Sequence, residues 1–341
     1  MAKKDLLNLL NEVKEDGKQT VEGDRFLLID GLNLFFRNFS ILNMVNPDGA
    51  HIGGLGGFFR SLGALIREIN PTKVYVVFDG QGSSNNRKNI LPEYKSDRNL
   101  SRITNWEAFD NLEEEDESKV EQIIRIIQYL QCLPVKIISI DKVEADDIIA
   151  YLSQKLPNTP KDKSIIVSSD KDYLQLVSQQ IIVYRPIEKA YYTPDKVKSK
   201  FNILSENFII YKTLMGDNSD SIRGIKGLGE KKLFKLFPHL STEKTTFEET
   251  LNYCEDRLKE HVIYARILQE EDRLRKSYKL MDLSLPMIDD NDKKFIDSFI
   301  KEELPPLHSK EFLQLYNQDQ LGGIIRNVDF WIKDVFERFV K

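Results

Sequence analysis

The chain has 341 residues, 41% hydrophobic and 30% charged, with 49 Lys and Arg against 54 Asp and Glu. That length suits one large or two modest domains with a sizeable core, and no apolar run approaches the roughly 20 residues of a membrane helix. Cys132 and Cys254 stand without paired-cysteine spacing, which excludes a disulfide scaffold and a cysteine zinc site and fits a reducing compartment.

Asp5, Asn8 and Asn11 interrupt the apolar residues of the first segment, so residues 1–24 read as an N-terminal extension rather than a secretory signal. Arg25-Phe-Leu-Leu-Ile-Asp30 follows as a buried strand. An amphipathic stretch covers 54–69, and Lys73-Val-Tyr-Val-Val-Phe-Asp79 is a second strand. After an amphipathic stretch at 118–131 come Pro134-Val-Lys-Ile-Ile-Ser-Ile140, a helical pattern over 144–155, and Lys163-Ser-Ile-Ile-Val-Ser-Ser-Asp170. Strands alternating with helices predict an α/β fold: a parallel sheet with helices on both faces and a ligand site beyond the carboxyl ends of the strands.

Three of those strands stop on an aspartate, and the fourth runs into Val143-Glu-Ala-Asp-Asp147. A single aspartate after a strand is commonly a helix cap. Four strands delivering acids to one edge suggest a site. Two further pairs follow, Asp170 with Asp172 and Asp217 with Asp220. The candidates are therefore Asp30, Asp79, Glu144, Asp146, Asp147, Asp170, Asp172, Asp217 and Asp220. Two like charges ~4 Å apart repel by roughly 4 kcal/mol at an effective dielectric of ~20, so such a cluster needs cations. All nine are oxygen donors with no Cys or His among them, which selects Mg²⁺ or Mn²⁺ over Zn²⁺. Two such ions form the usual clamp for in-line attack on a phosphodiester. The net charge of −5 does not exclude a nucleic-acid partner, because acids are concentrated in these candidates and in residues 107–117.

Two other segments carry cations. Asn86-Arg-Lys-Asn-Ile-Leu-Pro-Glu-Tyr-Lys-Ser-Asp-Arg98 supplies Arg87, Lys88, Lys95 and Arg98, either as a solvated loop or as phosphate-holding groups beside the metals. Residues 80–117 lack a long apolar pattern and read as mobile, with the acidic run 107–117 solvated and disordered. Farther on, a helical run at 208–215 leads through Gly224, Lys226, Gly227 and Gly229 to a second run beginning Glu230-Lys-Lys232. Alone, that glycine spacing is an ordinary turn. Directly after two candidate acids, with Lys231 and Lys232, it reads as a sequence-independent grip on phosphates.

In combination and in order, Ile29-Asp-Gly-Leu-Asn-Leu34, Val77-Phe-Asp-Gly80, Leu91-Pro-Glu-Tyr-Lys95, Val143-Glu-Ala-Asp-Asp147, Ser168-Ser-Asp-Lys-Asp172 and Gly216-Asp-Asn-Ser-Asp-Ser-Ile-Arg-Gly224 resemble the structure-specific 5′ nucleases. That family holds flap endonucleases, polymerase I exonuclease domains, and phage exonucleases and ribonuclease H; the phage and bacterial branch is the better match. The resemblance covers about residues 25–240. It implies a PIN-like core over 25–200 with a helical arch at about 82–118. Residues 201–341 would hold a helix-three-turn-helix DNA-binding motif and a C-terminal helical region. It also implies one Mg²⁺ among Asp30, Asp79, Glu144 and Asp146, and another served by Asp147, Asp170, Asp172, Asp217 and Asp220, with Mn²⁺ able to substitute. Lys95 would contact the scissile phosphate, flanked by Arg87 and Arg98. Arg37 and the 224–232 hairpin, with a K⁺ ion, would hold the duplex.

The implied function is a stand-alone, monomeric 5′-3′ exonuclease and flap endonuclease. It would remove 5′ flaps and RNA primers and leave 5′ phosphates, in a bacterial or phage-infected cytoplasm. The expected partner is branched, nicked or RNA-primed duplex DNA; the tails (residues 6–10 and 330–339) read first as ordinary packing, with a sliding clamp or single-strand-binding protein as the alternative. The alternatives are a cleavage-deficient DNA-junction binder and a PIN-type single-strand ribonuclease. Among weaker signals, Phe35 and Phe36 favour core packing over base stacking. Gly53, Gly54, Gly56 and Gly57 suit either a close DNA approach or a flexible turn, and His51 has no second histidine nearby to make a metal site.

Overall fold

A computed structural model of the chain describes residues 23–96 and 103–340. Six strands form one sheet: β1 (Arg25–Asp30), β2 (Lys73–Val77), β3 (Lys136–Ile138), β4 (Lys163–Val167), β5 (Ile181–Arg185) and β6 (Ala190–Tyr192). Their order is β3-β2-β1-β4-β5-β6, parallel throughout except for the β5–β6 hairpin. The predicted α/β sheet is present. Two strands were not anticipated from the sequence: β5 and the edge strand β6, which is only three residues long.

Alternation along the strands buries both faces. Phe26, Leu28, Tyr75, Val77 and Ile166 join the helix Ala145–Lys155 and the helical region that runs on to Ile296. Leu27, Ile29, Val74, Val76 and Val167 face the helices Gly31–Phe39, Gly53–Ile69 and Leu112–Gln131. The C-terminal helix Val328–Phe336 returns to this second face through Trp331, Ile332, Val335 and Phe336, leaving Phe330 exposed. The aromatic C-terminus is thus largely core, while the tail at residues 6–10 lies outside the described residues. Among the described residues, no helix is long and apolar enough to cross a membrane.

Several local readings are corrected by packing. The described parts of 80–117, residues 80–96 and 103–117, are anchored rather than loose: Asn85–Ile90 is helical, Tyr94 is buried, and Phe109 stacks on Phe39 with ring centroids 5.5 Å apart. Isolated anchors of this kind leave no periodic trace. The acidic run is not disordered either. Asn111 caps the helix Leu112–Gln131, whose first turn carries Glu113, Glu114 and Glu115, where negative charge meets the positive end of the helix dipole. Glu115 is buried, accepting from Thr104 N at 2.8 Å, Asn105 N at 2.7 Å and Lys119 Nζ at 2.7 Å.

The glycines at 53–57 let two helices touch. A Cβ at Gly57 would lie 2.7 Å from Asn38 Cβ, so neither a DNA approach nor a flexible turn is needed to explain them. Phe35 is core as expected, whereas Phe36 is 41% exposed. His51 Nε2 lies 2.8 Å from the Leu42 carbonyl and its Nδ1 3.1 Å from Gln122 Nε2, so it is satisfied by protein groups.

Candidate active site

Because β1 lies between β2 and β4, Asp30, Asp79 and Asp170 emerge at the carboxyl ends of three adjacent strands. This is where the chain, having built β2 and β3 on one side of β1, crosses to build β4 and β5 on the other. Gly80 brings the fourth acid in. A Cβ there would sit 1.7 Å from the Ile140 carbonyl oxygen, and Gly80 N donates to Val143 O at 3.1 Å. Asp79 Oδ1 in turn accepts from Ala145 N at 2.7 Å, at the head of the helix that follows Glu144.

Asp30 combines both roles open to it. One oxygen caps the helix at Asn33 N (3.0 Å), while the other accepts from Ser168 Oγ (3.2 Å). Burial, together with the negative charges of Asp79 and Asp170, pushes its pKa up to about 7 despite those hydrogen bonds. Asp170 Oδ1 accepts from Asp172 N at 2.9 Å, which folds the loop after β4 back on itself.

The acids at 144–147 meet a buried cation. Arg87 Nη1 lies 2.8 Å from Glu144 Oε2, 2.9 Å from Asp147 Oδ2 and 3.4 Å from Asp146 Oδ1. Arg87 Nε also donates to Leu280 O at 3.0 Å. Burial opposes the Arg87 charge, but these carboxylates outweigh it and hold its pKa well above normal. Glu144 Oε2 further accepts from Tyr94 OH at 3.0 Å and Lys95 Nζ at 2.8 Å. Asp147 Oδ1 accepts from Met287 N at 2.8 Å, so this residue is tied to the structure on both oxygens. Its burial, with Asp146 beside it, raises its pKa to about 7.

The remaining three acids form a second group. Asp172, Asp217 and Asp220 offer oxygens that all lie within 4.8 Å of one another. The Lys212 ammonium, buried on the helix Phe208–Met215, pairs with both Asp172 and Asp217. Burial alone would raise Asp217, but Lys212 outweighs it and lowers the pKa to about 2. Asp172 goes the other way, raised by burial and by Asp170 in spite of Lys212. Sequence reasoning missed Lys212, although its place five residues before Asp217 was visible.

Asp217 sits on a two-residue strand, Gly216–Asp217, paired with Ile222–Arg223. Gly216 has φ +78°, and a Cβ on it would approach Gly224 N to 2.2 Å, so this tight crossing requires glycine. The crossing links the acids to the basic hairpin, where Lys226, Gly227, Gly229, Lys231 and Lys232 are exposed before and along the helix Glu230–Leu236. The hairpin carbonyls of Arg223 and Lys226 accept from Arg273 and Arg266 (2.9 Å for the latter), and Gly227 O from Lys232 Nζ at 2.8 Å. These carbonyls already meet cationic donors, so K⁺ there rests on the resemblance alone.

The basic residues near the acids are arranged differently from expectation. Arg87 is 2% exposed and faces inward, so it serves as an internal counter-ion in this structure rather than presenting itself to a phosphate. Lys95 adopts a left-handed φ of +56°, its N–H donating to Asp220 O at 3.0 Å while its ammonium reaches Glu144. It thereby joins the two acidic groups. Arg37 donates to Pro186 O at 3.2 Å, and Arg98 lies outside the described residues.

The donor set suits hard divalent ions on an observation independent of the acid count. Glu144 Oε1 is buried with no hydrogen-bond partner among the described residues, while its twin Oε2 has three. A buried carboxylate oxygen left unpaired is costly unless something else coordinates it.

Residues 25–202 match the family model described as the 5′-3′ exonuclease, N-terminal resolvase-like domain. The chain belongs to the 5′-3′ exonuclease family. It is 28% identical over 312 residues to a 5′-3′ exonuclease of Aquifex aeolicus, covering 91% of this chain and 97% of that one. It is also 31% identical over 251 residues to DNA polymerase I of Lactococcus lactis, covering 70% of this chain but 27% of the polymerase. Within this exonuclease family the structural likeness extends to the bacteriophage T5 D15 flap endonuclease, solved with DNA and metal ions. The TM-score is 0.61 at 20% identity, over 86% of this chain and 100% of that one. The shared fold is the PIN-like sheet expected from the sequence.

Proposed function

We propose that this 5′-3′ exonuclease family member is a divalent-metal-dependent phosphodiesterase. It acts on branched, nicked or RNA-primed duplex DNA, cutting flaps and primer ends to leave 5′ phosphates. The observation that carries this reading is the convergence of Asp30, Asp79 and Asp170 at one sheet edge with Glu144 drawn in beside them, while Asp217 and Asp220 stand on the Gly216–Gly224 crossing that runs into an exposed lysine hairpin.

Asp30, Asp79, Glu144 and Asp146 would hold one ion, and Asp170, Asp172, Asp217 and Asp220 the other. Bound there, Mg²⁺ or Mn²⁺ would supply Lewis acidity and a water acidified enough to attack a phosphodiester. The chain's own residues do the rest. Arg87 and Lys212 hold the carboxylates together, limiting their repulsion before anything binds. Asp147 fixes the first turn of its helix through Met287. Lys95, held near Glu144 by an uncommon backbone conformation, would meet the scissile phosphate and stabilise charge developing on its oxygens. Lys226, Lys231 and Lys232 would take the duplex backbone without reading bases.

The test is cleavage of 5′-labelled flap, nicked and RNA-primed duplexes, with unstructured RNA and EDTA as controls. Metal-dependent cutting of duplex substrates near the branch is expected, with Asp30→Ala and Asp170→Ala losing cleavage while still binding the junction. Preference for unstructured RNA, or cleavage surviving in both variants, rejects the reading.

A further inference from the structure

Two of the proposed metal ligands, Asp170 and Asp172, follow β4 on a short loop that leads into the 3₁₀ turn Asp172–Leu176. Ser169 in that loop is gripped through both of its flanking peptide groups. Its N–H donates to Asn33 Oδ1 at 2.9 Å, and its carbonyl accepts from Arg185 Nη2 at 2.7 Å. Asn33 belongs to the helix that begins after Asp30, whereas Arg185 ends β5.

Arg185 is 6% exposed, and its charge is answered by Glu188 in the turn between β5 and β6. Glu188 also meets Tyr192 OH and the Lys200 ammonium, so a chain of polar contacts runs from the surface to the back of the acidic site. Glu188 resists burial through these partners: desolvation would raise its pKa, but Lys200, Tyr192 and Arg185 lower it. It therefore remains an anion able to fix the guanidinium. Asp170 N, in the same peptide group as the Ser169 carbonyl, donates to Ser168 Oγ at 3.1 Å, so the Ser169–Asp170 peptide is held at both its C=O and its N–H and the bonds onward to Asp170 have a set direction. Asp172 N then donates to Asp170 Oδ1 at 2.9 Å.

We propose that Arg185, oriented by Glu188, is a positioning residue that sets the divalent-ion affinity of Asp170 and Asp172 by locking the Ser169–Asp170 peptide. It touches neither substrate nor ion. The inference rests on the metal-dependent reading above. Outer-shell partners of metal ligands typically change metal affinity by about 10–100-fold when removed, because an unlocked ligand must be ordered as the ion binds.

The experiment is calorimetric titration of Mn²⁺ into the DNA-free full-length chain, followed by Mg²⁺ titration of flap cleavage. The variants are Arg185→Ala, Arg185→Lys and Asn33→Ala, which frees the adjacent Ser168–Ser169 peptide at the other side of Ser169. Arg185→Ala and Asn33→Ala should each weaken Mn²⁺ binding by about tenfold and raise the Mg²⁺ needed for half-maximal cleavage in parallel. Arg185→Lys, which keeps a charged donor, should recover part of the loss. A role confined to the β5–β6 hairpin would lower the thermal midpoint in EDTA without moving Mn²⁺ affinity, and that result overturns the proposal. If Arg185→Ala does not fold, unchanged Mn²⁺ binding in Asn33→Ala overturns it equally. A wild-type chain that cuts flaps without any divalent ion would sink the metal reading first; a metal-dependent wild type beside unaffected variants sinks only this inference.

Discussion

The Arg87 guanidinium lies 2.8 Å from Glu144 Oε2, and the two side chains are 3% and 2% exposed. A cation and an anion this deeply buried are interdependent. Removing one leaves the other charged, desolvated and, for Glu144, surrounded by Asp146 and Asp147 as well.

Arg87→Met should therefore destabilise the metal-free protein by about 3–5 kcal/mol, the usual result of breaking a buried pair from one side. Urea unfolding in EDTA measures this. Mn²⁺ should restore part of the lost stability, since a divalent ion can take over some of the neutralisation. An unchanged midpoint in EDTA would show that Arg87 is not the counter-ion of this cluster.

His51 supplies a pH dependence remote from the acidic site. Burial lowers its pKa below the ordinary 6.5, an effect that its contact with the Leu42 carbonyl and the charge of Glu115 only partly oppose. The folded state thus binds this proton less readily than the unfolded chain, so protonation favours the unfolded chain and the fold loses stability as the group charges. The His51 contribution is complete above about pH 6.5 and declines as pH falls below it. Thermal melts between pH 7.5 and 5.5, roughly the range in which an imidazole titrates, should show a fall that His51→Gln flattens. Equal slopes in the two proteins would contradict this assignment.

The hairpin lysines can be tested through salt. If Lys231 and Lys232 neutralise backbone phosphates, replacing both by Ala should weaken duplex binding to a similar degree for unrelated sequences. It should also reduce the slope of log K against log salt by up to about two. Fluorescence anisotropy over a salt series, with metal withheld, gives the slope directly. A sequence-dependent loss, or an unaltered slope, would place the duplex elsewhere.

Much of the acidic site was legible because strand ends and carboxylates coincide in the sequence: Asp30, Asp79 and Asp170 each follow a short apolar run that must be buried. The hairpin was legible too, since Gly216 and Gly224 leave room for a backbone crossing that any side chain would block. Lys212 and Arg87 were not legible as counter-ions. Lys212 stands 40 residues from Asp172, and Arg87 stands 59 from Asp146. A lysine in an apolar helix carries no mark of which acid it will meet. The anchoring of residues 80–96 and 103–117 was hidden for a related reason, because Tyr94 and Phe109 act singly and create no period.

By itself, the sequence determined the family of this protein, because its acidic motifs stand in order after buried strands and before a glycine–lysine turn, and local spacing is enough to see them. Only the tertiary structure decided how those charges coexist. The order β3-β2-β1-β4 makes Asp30, Asp79 and Asp170 neighbours, and the packing of distant helices delivers Arg87 and Lys212 into the gaps between carboxylates. Coulomb energy depends on separation and burial, and both arise when remote parts of the chain pack together.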